Sequence, residues 1–138
     1  MPAVDSSSPS DKRRGVQYYL TLDNPNPGFD SCFESSTFAR ASKDLQAIER
    51  HLGMKTHFDF FSYAAQNSLC PPGYEETEIP WFDPQEGIDW LASVIAHVRQ
   101  HPTSVELPEK LANELAACQD ILRQAKTIKA RWHFEMNI

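Results

Sequence analysis

Apolar residues recur along this chain in two rhythms. Ile88, Leu91, Val94, Ile95 and Val98 fall on one face at helical spacing. Trp132, Phe134, Met136 and Ile138 instead alternate with Arg131, His133, Glu135 and Asn137, the pattern of a strand with one wet face. The second rhythm returns near the other end, where Val16, Tyr18, Leu20 and Leu22 alternate with Gln17, Tyr19 and Thr21.

The helical stretch has a start with a mechanism. The Asp83 carboxylate can accept from free N–H groups of the first turn, Pro84 takes the first position, and Glu86 can reach back to the cap. Pro102 stops it just after His101. Gly87 in the first turn implies that something packs close there. A second helix is expected from Phe38 to Leu52, with Phe38, Ala41, Leu45, Ile48 and Leu52 on one face and Gly53 as a left-handed cap. Ser42 could cap a shorter version of it, so residues 36 to 41 belong either to that helix or to a separate short element. A third helix starts near Pro108 and carries Leu111, Leu115, Cys118, Leu122 and Ala125 to about Lys126, with Glu106 and Lys110 spaced for a surface pair. The short link makes it an antiparallel neighbour of the helix before it.

Thr56 to Tyr63 holds three phenylalanines and a tyrosine, and Thr56 with Asp59 makes a capping box for one or two helical turns. These aromatics read as a core plug. His57 and Asp59, two apart, face different ways on a helix and do not make a catalytic dyad. The terminal strands most economically pair with each other and pack their apolar faces on the helices. The expected fold is therefore α+β, about three main helices on a small sheet. A two-stranded sheet is marginal, so a third strand is expected from 28–38 or 73–80, or an edge that pairs with a second copy. The stretch from 65 to 80 is a long connection, the kind that is either functional or mobile.

Length and charge narrow the picture further. The 138 residues suit one domain over 15–138 behind a Ser/Pro-rich polar tail over 1–14. A net charge of -6 argues against nucleic acid as the main partner. No stretch is long and apolar enough for a bilayer, and no hydrophobic signal core is seen, so the expected location is cytoplasmic, with no membrane partner. Cys32, Cys70 and Cys118 match neither a disulfide framework nor a paired metal motif. Cys118 reads as a buried small hydrophobe, and Cys32 and Cys70 as free surface thiols. His133 falls on the polar side of its strand and is expected to be exposed. Glu75, Glu76, Glu78, Asp83, Glu86 and Asp89 make an acidic middle, against a basic patch of Arg123, Lys126, Lys129 and Arg131.

The candidate chemistry gathers on the central helix. Trp90, His97 and His101 form a strip along one edge of its apolar face, with Trp81 and Phe82 just ahead of its cap. The plain reading makes them boundary residues of the core. The sharper one takes His97 and His101, four apart, as half of a zinc site. No Glu follows the first histidine, where a metalloprotease helix needs its base; residue 98 is Val98, and no third ligand is indicated.

The run FARASKDLQAIERHLGMKTHFDFFS, then WFDPQEGIDWLASVIAHV and the ending ILRQAKTIKARWHFEMNI, resembles a family of small uncharacterised bacterial proteins. The likeness lies in a helix ending in LG, an aromatic segment ending in Phe-Ser, a Trp-Phe before a capped helix, and a terminal Trp-His strand. It implies no activity and no catalytic residue. Two functional classes follow. The preferred one is a non-enzymatic cytosolic protein without cofactor, which recognises another protein or a second copy of itself. The alternative is a metal-dependent or small-molecule enzyme with its site near Trp81, Trp90, His97 and His101.

Overall fold

A computed structural model of the chain describes residues 15–62 and 79–137. The elements are β1 (Gln17–Leu22), β2 (Glu34–Ser35), α1 (Ser36–Arg40), α2 (Ser42–Leu52), a 3₁₀ turn at His57–Phe60, α3 (Pro84–Gln100), a second 3₁₀ turn at Pro102–Ser104, α4 (Pro108–Thr127) and β3 (Trp132–Asn137). The expected tail over 1–14 lies outside the described residues, as do the connection over 65–78, Cys70, Glu75, Glu76 and Glu78.

The architecture is α+β, with three main helices packed on a sheet that joins the N- and C-terminal strands. Strand order is β2-β1-β3, all antiparallel; Tyr18 faces Met136 and Leu22 faces Trp132 across the β1–β3 ladder. The third strand comes from the 28–38 region. The outer edge of β3 is partly covered: Phe82 and Trp132 exchange two backbone bonds of 2.8 and 3.1 Å, and Ser62 N–H donates to Phe134 O at 2.9 Å.

Helices α3 and α4, linked through Pro102–Ser104, pack along each other and present Leu91, Val94, Val98, Leu111, Leu115, Cys118 and Leu122 to the core, all fully buried. They meet Trp132 and Phe134 of β3, and Phe60 of the first 3₁₀ turn closes the same cluster. Gly87 explains how closely α3 approaches. A Cβ there would overlap the Trp132 ring and lie 2.6 Å from Leu122 Cδ1. Only the absent side chain lets the helix sit on that indole.

Local signals work out in part. Asp83 caps α3, accepting from Gln85 N–H at 2.8 Å, but Glu86 turns away from the cap to pair with Lys55. Gly53 closes α2 at φ +67, where a residue without Cβ is favoured. The capping box of Thr56 and Asp59 forms. Lys110 faces Glu114 at 4.0 Å, one turn ahead, rather than Glu106 behind it. Residues 36 to 41 are a separate element: Ser35 Oγ accepts from Phe38 N–H at 2.8 Å and starts α1, and the chain breaks at Ala41 before α2.

Three expected faces need correction. Leu52 is 41 % exposed while Glu49, one turn earlier, is completely buried, so the inner face of α2 is rotated toward the glutamate. Val16 lies outside β1 and is exposed. His133 is buried rather than exposed, because Pro80 and Trp81 lie over the outer face of β3.

Candidate functional site

Helix α2 places Ser42 and Glu49 two turns apart, so their side chains share one flank of the helix. Gly53 then reverses the chain, and the 3₁₀ turn lays His57 back across that flank. The result is a continuous hydrogen-bonded line. Glu49 Oε2 accepts from the His57 backbone N–H at 2.8 Å and lies 2.8 Å from its Nδ1. With Nδ1–H directed at that oxygen, Nε2 is left as an acceptor for the Ser42 hydroxyl, 2.7 Å away. The Tyr18 hydroxyl donates to Ser42 Oγ at 3.2 Å, completing the line.

The surroundings hold this arrangement in one form. His57 is fully buried, with Phe58 at 4.3 Å between ring centroids, Phe38 at 5.6 Å and Trp90 at 6.4 Å. Trp90 Nε1–H donates to Lys55 O at 2.9 Å and fixes the turn that carries the histidine. Burial, opposed by the Ser42 bond and reinforced by Glu49, holds the Tyr18 phenol above its ordinary value, so it stays a donor. Glu49 Oε1 is buried and has no hydrogen-bond partner among the described residues. Such an oxygen costs stability and marks a place where the fold keeps a polar group that packing alone does not want. Ser42 is the member of the line with most access to solvent.

A second polar cluster lies on the outer face of the sheet. His133 Nε2 lies 2.7 Å from Glu135 Oε2, and its Nδ1–H donates to Pro80 O at 2.9 Å. The Trp81 ring stacks on the imidazole, 4.2 Å between centroids and tilted by 30°. Tyr19 O–H donates to the other Glu135 oxygen at 2.7 Å. The His133 bond, against the opposing effect of burial, draws the Glu135 carboxyl below its ordinary value. Burial, then the bond to Glu135, pushes the Tyr19 phenol up to about 12.

The four residues singled out from the sequence do not form one site. Trp90 is a core residue under the His57 turn, and Trp81 covers His133 on the opposite side of the sheet. His97 and His101 do stay together, 4.6 Å between ring centroids, and His51 from the end of α2 joins them at 5.8 Å from His97. They line an open depression of about 430 Å³ with Asp44, Ala47, Ile48 and Ser104. As the side chains stand, no three His, Cys, Asp or Glu among the described residues are arranged to hold a metal ion. Partial burial and the nearby His101 and His51 lower the His97 pKa. Cys118 is buried and its thiol pushed far up, an inert packing residue; Cys32 is exposed.

The line through Ser42, Glu49 and His57 went unseen in the sequence. One signal pointed to it: Glu49 follows Leu45 by four residues and adjoins Ile48, so a charge sits against the apolar stripe of its helix. Asp59, set aside as a partner for His57 on spacing, serves the Thr56 cap as expected. Comparison with known proteins finds no matching family model, no matching curated protein and no matching solved structure. Among the described residues no helix is long and apolar enough to cross a membrane.

Proposed function

We propose that this chain is a serine-dependent acyl-transfer enzyme of the hydrolase type, with Ser42 as nucleophile, His57 as general base and Glu49 as the group that orients the imidazole. The observation that carries it is the unbroken line from carboxylate to imidazole to hydroxyl, with 2.8 and 2.7 Å separations in the order such chemistry uses. The same line favours this reading over a non-enzymatic protein-binding role.

The steps follow from the geometry. Ser42 Oγ attacks the carbonyl carbon of an ester while its proton passes to His57 Nε2. That proton then leaves with the alcohol, giving an acyl-Ser42. Water, deprotonated by the same nitrogen, attacks the acyl carbon and releases the acid, restoring the serine. Glu49 keeps Nδ1–H directed inward, so Nε2 is the nitrogen that faces the reaction. Ser42 opens α2, and no side chain caps the backbone N–H groups of that helix start.

The test is covalent. Treatment with a fluorophosphonate should add one phosphonyl group at Ser42, located by peptide mass spectrometry, and Ser42→Ala should lower p-nitrophenyl acetate hydrolysis at least about a hundredfold. Unchanged hydrolysis in a folded Ser42→Ala protein, with no label at Ser42, would remove the proposal.

A further inference from the structure

Three histidines from two helix ends meet at the surface, away from Ser42. We propose that His51, His97 and His101 bind one divalent transition-metal ion of the zinc class.

A tetrahedral zinc ion bonds imidazole nitrogen at about 2.0–2.1 Å, which places the centroids of two ligating rings roughly 5 Å apart. The observed separations, 4.6 Å for His97–His101 and 5.8 Å for His51–His97, lie on either side of that value. One ion at the three nitrogens calls for rotation about the side-chain torsions of the exposed His51 and His101, with the half-buried His97 between them. The backbone already presents the pair correctly: although His101 lies past the last residue of α3, its N–H still donates to His97 O at 2.8 Å, keeping it one turn above.

Among the described residues none of the three rings has a hydrogen-bond partner, in contrast to His57 and His133, whose nitrogens are all engaged. Their meeting brings together the C-terminal ends of α2 and α3, both partially negative, where a cation is favoured. Asp44 lines the same depression and adds a carboxylate. Three neutral imidazoles suit zinc, nickel or copper rather than magnesium or calcium, and the open depression leaves the fourth position to water.

Calorimetric titration of the untagged full-length protein with zinc chloride at pH 7.5 should give one site of micromolar or better affinity, with magnesium chloride giving none. His51→Ala, His97→Ala and His101→Ala should each weaken zinc at least tenfold without changing the far-ultraviolet circular dichroism. Cobalt substitution should give the intense visible bands of a four-coordinate ion. The absence of stoichiometric zinc binding, or affinity that survives His51→Ala within twofold, would overturn the proposal. Phosphonate labelling at Ser42 is indifferent to zinc, so the two sites fail or stand separately.

Discussion

Two buried His–Glu pairs lie on opposite faces of one sheet, built from the same residue types at nearly the same distance, and they are chemically different. In the inner pair, Glu49 shares one oxygen between two His57 donors, and the second imidazole nitrogen meets a hydroxyl. In the outer pair, both nitrogens of His133 face acceptors, Pro80 O and Glu135, while Tyr19 occupies the remaining carboxylate oxygen. The third partner decides what the pair can do. A hydroxyl leaves the imidazole able to receive a proton; a carbonyl ties it to a structural clasp holding Pro80 and Trp81 onto β3.

The largest test of that contrast is stability. Glu49→Ala strands two buried His57 donors and should cost about 3–5 kcal/mol in denaturant titration. Glu135→Ala, nearer the surface, should cost about 1–3 kcal/mol. Equal losses would mean that the inner pair is no more deeply committed than the outer one.

Acid titration separates the pairs next. The Glu135 carboxyl is held below its ordinary value of 4.5 in the folded chain, so the unfolded state binds more protons in acid. Its stabilisation is complete above that ordinary value and is lost as pH falls through the lower folded value. The gap in urea midpoint between the parent and Glu135→Gln should therefore close as pH drops below the ordinary carboxylate range. His133→Gln should flatten the same acid limb, since its main cause is gone; an unaltered limb would refute the outer assignment.

Two smaller effects complete the series. Ser42→Ala should cost only about 1 kcal/mol in the same denaturant assay, because Tyr18 and His57 lose one shared partner at a site open to solvent on one side. Ultraviolet titration should find Tyr19 ionising near 12, and Glu135→Gln should bring that value down by removing the carboxylate that accepts its proton.

Much of the fold could be read from periodicity, because burial on one face repeats every two or 3.6 residues. The β1–β3 pairing, the span and cap of α3, the Gly53 turn and the tight approach at Gly87 all belong to this class. His133 escaped because a strand pattern reports one covered face, whereas Pro80 and Trp81 reach the other through tertiary contact. The inner line escaped for a different reason. Ser42, Glu49 and His57 are joined across a helix and a reversal, and a reading of neighbours in sequence rejects Asp59 as a partner of His57 without reaching Glu49. Of the four residues expected together, the His97–His101 pair was legible as one helical turn; Trp81 and Trp90 were separated by the sheet itself.

Tyr18 lies opposite Met136, so the first long strand finds its full-length neighbour in β3, at the other end of the described residues, and nearer in sequence only the two residues of β2. A nascent chain leaving the ribosome carries an apolar ribbon with little to sit against until β3 has emerged. Helices can form meanwhile, but the sheet waits on the most distant contact in the chain, the kind that closes slowly. The sheet closes only once β3 is available to β1, whichever helix forms first. Clipping the chain after Arg131 would leave the helices exposed along their greasy side instead of merely fraying an end.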